Sequence, residues 1–142
     1  MNKSLFKKYY YIGMGLYCFS FLLPSAVIFA NEEPMIGFQC ALSVISLLFE
    51  YENLWILILR VFVNLANLIT IFLFIIHFKI KIQKLYIFQL IAFVSSTYWF
   101  IQALFESTIQ SLLIGYWNWV FSILFISVVM FHFRNSRNKI NS

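Results

Sequence analysis

Four apolar runs constrain this chain more than anything else in it: residues 9–30, 54–78, 85–105 and 112–133. Each has the roughly 20 residues that a helix needs to cross about 30 Å of hydrocarbon. Together they take up most of the 142 residues, so a single domain over 1–142 is expected. Charged residues make up 11% of the chain and hydrophobic ones 63%. A soluble domain carries about 25% charged residues, and a core of this size cannot hide the apolar surplus. The expected fold class is all-α and integral to a membrane: a four-transmembrane-helix bundle.

A fifth apolar piece, 36–49, covers only about 21 Å and falls short of a span. Charge decides between four spans and five. With four, and both ends cytoplasmic, nine of the ten Lys and Arg lie inside, and the tenth is Arg60, within a span. All five acids (Glu32, Glu33, Glu50, Glu52 and Glu106) then lie outside or at the outer border. Five spans would place Lys79, Lys81 and Lys84 outside, against the positive-inside rule. The aromatic residues agree. Trp55, Trp117 and Trp119 fall near the outer border, and Tyr9, Tyr10, Tyr11 and Tyr86 near the inner one.

Between the first two spans, Gln39, Ser43, Ser46, Glu50 and Asn53 recur at 4, 3, 4 and 3, one polar stripe on an apolar helix. A short outer interfacial helix over about 36–50 follows. A re-entrant element capping a cavity is the alternative, and it would have to be buried in protein. Neither continues straight into the second span, so a bend is expected near residues 50–53. The first run is longer than the 7–15 apolar residues of a signal peptide. It is expected to stay as a span, kinked at Pro24.

The net charge of +5 does not indicate nucleic acid. The bases sit in small clusters that flank apolar runs, where they set topology and meet anionic head groups. Cys18 and Cys40 are too few for a disulfide framework, and Cys18 is expected to pack. No nucleophile elbow, phosphate loop or HExxH helix is present, so no catalytic residue is assigned and a non-enzyme is expected. His77 and His132 close the second and fourth spans, but no third ligand supports a metal or haem site. They are expected to be interfacial residues. No cofactor is expected.

The polar residues inside the spans carry what functional signal there is. Residues 54–78 hold 18 Leu, Ile, Val and Phe, which favour insertion by roughly 5–11 kcal/mol. A central arginine costs about 2.5–3.5 kcal/mol on that scale, so Arg60 is tolerated. It either snorkels to the outer interface or pairs with Glu106, Glu50 or Glu52. Arg60, Asn64 and Asn67 share one helix face, which should point into the bundle because lipid leaves an amide unsatisfied. Ser95, Gln102 and Glu106 share a face of the third span; Ser111, Asn118 and Ser122 one of the fourth; Gly13, Tyr17, Ser20 and Pro24 one of the first. Convergence of these stripes makes Arg60, Asn64, Asn67, Gln102, Glu106 and Asn118 the candidate polar core or ligand site. It acts either as interhelical glue or as a hydrated pocket.

The stretch GYWNWVFSILF, with Gly115, Tyr116, Trp117, Trp119 and Ser122, resembles a family of small four-span bacterial membrane proteins whose activity is uncharacterised. Their last helix opens Gly-Tyr-aromatic-x-Trp-x-x-Ser. PMIGFQCAL, from Pro34, is similar to that family's Pro-x-x-Gly-aromatic entry to its extracytoplasmic segment. NLANL resembles its Trp-Leu-Ala-Asn-Pro motif at Leu65, Ala66 and Asn67, with Asn64 in place of the tryptophan and Leu68 in place of the proline. The resemblance implies four spans in a bacterial inner membrane and no particular activity. The expected role is helix–helix contact, as an oligomer or as an accessory subunit of another membrane protein. A small-solute or ion carrier with a polar pocket is the second reading, and an immunity protein against a toxin the third. The expected partners are the lipid bilayer and either a second copy or another membrane protein.

Overall fold

Phe6, Tyr10, Met14 and Tyr17 recur at spacings of four, four and three, and all are buried. That is one stripe of a helix, and the helix is α1, Lys3–Ser20. The computed structural model describes residues 3–27, 33–46, 54–76, 85–105 and 111–138. Within them the chain is mostly helical, with one small sheet.

The first element departs from the expected helix over 9–30. After Ser20 the backbone tightens, with Leu22 N–H donating to Phe19 O (3.0 Å) and Leu23 N–H to Ser20 O (3.3 Å). Pro24 then ends the helix rather than kinking it, because proline denies the residue before it the helical conformation. It opens strand β1, Pro24–Val27, the place in a strand where a missing N–H costs least. β1 is the middle strand of three, flanked by β2, Met35–Ile36, and β3, Ser111–Leu112, both antiparallel to it.

Among the described residues five further helices complete the fold, beginning with α2, Gly37–Ser46. It falls within 36–50, the segment expected to form an interfacial helix; residues 47–50 and the bend expected near 50–53 lie outside the described residues. α3 is Leu54–Ile76 and α6 is Ile114–Asn138. The third apolar run is not one helix: α4, Tyr86–Ser96, and α5, Tyr98–Phe105, are separated by a turn at Thr97.

α6 lies between α1 and α4, and α4 packs in turn on α3. Contacts fix the directions. Phe6 stacks on Phe133 at 4.4 Å while Asn118 reaches Leu16, so α1 and α6 run antiparallel. The Gln89–Ser127 and Ser96–Tyr116 contacts make α4 antiparallel to α6. On the α1–α6 seam, Gly13 gives the close approach: a Cβ there would lie 2.7 Å from Ile126 Cγ1. The seam is otherwise filled by Tyr10, Met14, Ile126, Met130 and Phe133.

Polar side chains share the interior with the apolar core. Ser20, Ser25, Thr70, Gln89, Ser95, Ser96, Ser122 and Ser127 are buried. Outside, Phe19, Phe72, Ile75, Phe88, Leu104 and Phe121 are each more than half exposed, Phe121 at 64%. The charged side chains that are described, Lys7, Lys8 and Glu33, are all exposed. Among the described residues, one helical stretch, Ile114–Phe133, is long and apolar enough by itself to cross a membrane.

Candidate functional site

Asn67 is the hub of the interior. Its side-chain carbonyl Oδ1 accepts the Tyr17 hydroxyl at 2.8 Å and the Trp119 indole N–H at 3.0 Å. One acceptor with two lone pairs thereby joins α1, α3 and α6. Tyr17 is almost fully buried at 2% exposure and Trp119 is half-buried. Of the candidate polar residues, Asn67 alone makes this junction among the side chains described.

Asn118 does something separate. Its Nδ2 donates to the Leu16 carbonyl at 2.9 Å, near the surface of the α1–α6 seam. Adjacent residues point about 100° apart on a helix, so Trp119 faces α3 while Asn118 faces α1. Ser122, expected beside Asn118, turns its hydroxyl back onto Trp119 O at 2.7 Å. Arg60, Asn64 and Gln102 fall in α3 and α5, but their side chains lie outside the described residues, as do Glu106, Glu50, Glu52 and His77.

A second polar layer joins α3, α4 and α6. Gln89 Nε2 donates to Thr70 Oγ1 at 3.3 Å, and the Ser127 hydroxyl is shared between Ile123 O (2.8 Å) and Gln89 O (3.2 Å). Gln89 is fully buried, and its Oε1 has no hydrogen-bond partner. None of these three belongs to the stripes expected from the sequence. Gln89 lies about 120° round α4 from Ser95. The signal is present as spacing: Gln89, Ala92 and Ser96 recur at 3 and 4 and are buried along α4, with half-buried Leu85 four residues before Gln89 at its N-cap.

The third junction is at the end of the bundle that carries the small sheet. Gly37 N–H donates to Leu23 O at 2.9 Å, and Leu113 N–H donates to Ser25 O at 2.9 Å. A Cβ on Gly37 would lie 2.6 Å from Ser20 O, and one on Gly115 would lie 2.7 Å from both Leu23 O and Pro24 O. The glycines of two of the quoted motifs, PMIGF and GYWNW, therefore clamp one turn from opposite sides. Only a residue without a side chain lets backbone approach so closely. Next to Gly115, the buried Tyr116 sends its hydroxyl to the break between α4 and α5. It donates to Ser96 O at 2.9 Å and accepts Phe100 N–H at 3.1 Å.

Chemically these groups are neutral donors and acceptors, most of them spent on one another. Among the described residues no cluster of His, Cys, Asp or Glu could hold a metal ion. Cys40 is held by a long contact to Met35 O (3.9 Å), and burial pushes its thiol pKa up, away from thiolate chemistry. Comparison with protein families, curated proteins and solved structures finds no match to this chain.

Proposed function

We propose that the chain is a multipass membrane protein: a four-span bundle with both termini cytoplasmic, non-enzymatic, and working through helix–helix contact. The single observation that supports this reading is the apolar exterior, around an interior that holds hydrogen-bonded polar groups beside its apolar core. Amides and hydroxyls are buried between helices, and large apolar side chains cover the outside of α1, α3, α4, α5 and α6. A soluble monomer rarely exposes contiguous apolar surface beyond a few hundred Å². In lipid the same surface carries no penalty, and polar contacts between helices then specify association.

The antiparallel neighbours support the same topology. α1 and α4 run one way, and α6 runs the other. α3 is 23 residues long, or about 34 Å. The two halves of the third run would cross as an interrupted helix, which is tolerated in lipid where the opened backbone is satisfied by protein. The positive-inside pattern places the bases of both ends on the cytosolic side. The sequence resemblance favours a bacterial inner membrane. Direct bonds within the polar layers favour structural glue over a hydrated pocket. The outer surface is then free to hold a second copy or another membrane protein.

Two measurements test this. After an alkaline carbonate wash the protein should stay with the membrane pellet; release into the supernatant would overturn membrane integration. In mild detergent it should migrate as a complex larger than a monomer. A lone monomer that cross-links to nothing in intact membranes would leave integration standing and remove the helix-contact role.

A further inference from the structure

We infer that α4 and α5 are two halves of a switchable helix, held apart by the hydroxyl of Tyr116. In an unbroken α-helix the N–H of Phe100 would donate to the carbonyl of Ser96, four residues back. Here the Tyr116 hydroxyl from α6 sits inside that bond, accepting Phe100 N–H at 3.1 Å and donating to Ser96 O at 2.9 Å. A side chain inserted into the ladder is one of the few physical causes of a helix interruption, alongside proline and glycine pairs. The segment FVSSTYWF, residues 93–100, contains neither proline nor glycine.

Local chemistry holds the same break. The Ser96 hydroxyl turns back to Phe93 O at 2.6 Å and the Thr97 hydroxyl to Val94 O at 2.7 Å. Such back-bonding competes with the regular ladder and bends helices. Thr97 O takes the N–H groups of both Phe100 (3.1 Å) and Ile101 (3.3 Å), the first by a tighter three-residue step. Every backbone group displaced by the wedge thus has a ready partner in the unbroken form. Withdraw Tyr116, and Phe100 N–H closes onto Ser96 O. Residues 86–105 then become one helix about 30 Å long. That exchange gives up the two bonds to the phenol and the three-residue bond from Phe100 N–H to Thr97 O, and gains the four-residue bond to Ser96 O.

The position of Tyr116 says what would move it. It follows Gly115, which is seated on the Leu23–Ser25 turn, and β3, just before α6, pairs with β1 and packs on α5. A disturbance of the small sheet therefore shifts the first turn of α6 and, with it, the wedge. The device couples the small sheet to the length and direction of the third helix. It stands on the hydrogen-bond geometry alone and holds whether or not the surrounding surface meets lipid.

The test uses the full chain with Cys18→Ser and Cys40→Ser, and spin labels on Ile87→Cys in α4 and Leu104→Cys in α5, both exposed positions. Seventeen residues of continuous helix place these sites about 25 Å apart along the axis. The parent should give a shorter main distance, and Tyr116→Phe should move it towards that value. The same distance in both proteins would overturn the wedge. Should Tyr116→Phe fail to fold, Thr97→Ala decides. It keeps the phenol but removes one back-bond, and it should add a second, longer population. A single unshifted distance in Thr97→Ala would overturn the two-state reading.

Discussion

The two seams of α6 are built on different principles. Towards α1 it packs mainly by shape, with the Asn118–Leu16 bond near the surface: Phe6 on Phe133, Tyr10 and Met14 among Ile126 and Met130, with Gly13 admitting the neighbouring helix. Towards α4 and α3 it is tied by groups that form hydrogen bonds: Trp119 to Asn67, Ser127 to Gln89, Tyr116 to Ser96. Under the membrane reading proposed above the difference has a physical reason, because apolar contact alone carries little preference in a hydrocarbon solvent. Two apolar faces gain from meeting only where their shapes interlock. A helix with a smooth, close-fitting neighbour can rely on shape. One that must hold two neighbours at a fixed register, beside an interrupted helix, is specified by directional bonds.

Breaking the polar junction should have the largest effect. Asn67→Leu leaves the Tyr17 hydroxyl and the Trp119 N–H without their shared acceptor. Each orphaned buried donor costs about 1–3 kcal/mol, and Trp119 is only half-buried, so a total loss of about 2–4 kcal/mol is expected. Unfolding in mixed micelles titrated with a denaturing detergent measures it. A loss below that of a surface leucine exchange would show that Asn67 is not the hub.

The shape-built seam should respond next. In Gly13→Ala the new methyl would sit 2.7 Å from Ile126 Cγ1 and 3.0 Å from Phe125 Cδ1. Overpacking of this kind costs about 1–3 kcal/mol. Truncation of the neighbour tests the shape argument: Ile126→Ala removes the clashing Cγ1, so the double change should be milder than the sum of the two singles, although Ile126→Ala by itself should cost about 2–5 kcal/mol. Strict additivity of the two changes would mean that the residues do not share the space.

These seams were unequally legible in the sequence. The apolar runs, the helical content and the α1 stripe follow from periodicity, because a period of 3.6 survives whatever the helix packs against. The end of α1 was visible too, in Pro24, but kinks and stops give the same local signal, and only the pairing of β1 with distant β2 and β3 separates them. The break at Thr97 carries no proline or glycine. Its cause is a tyrosine 19 residues away in sequence, which no local window contains. Asn67 reads as an inward-facing amide from its place on the face shared with Arg60 and Asn64. Its partners are not legible, because Trp119 reads as a border aromatic and Tyr17 as one member of a stripe. Gln89 gives no such signal, since one glutamine among apolar residues does not make a polar face. Its seam is defined instead by the small residues Ala92 and Ser96.

Gln89 sharpens the comparison from the other side. It is a buried amide like Asn67, yet its hydrogen bonds are much poorer. Its one side-chain bond, to Thr70, is long at 3.3 Å, and its carbonyl Oε1 has no partner. A made neutral bond contributes about 0.5–1.5 kcal/mol, and an unsatisfied buried acceptor costs about 1–3 kcal/mol. Gln89→Met removes both while keeping a flexible, unbranched side chain of similar reach. Thr70, left without the amide, can turn its hydroxyl onto the preceding turn of α3. The change should therefore shift stability by no more than about 1 kcal/mol, with an increase as the favoured direction. The same replacement of an amide by an apolar side chain would then have opposite outcomes at Asn67 and Gln89, two sites on the same interior. A loss at Gln89 equal to that of Asn67→Leu would mean that its carbonyl is paired after all, and that the contrast drawn between the two amides is false.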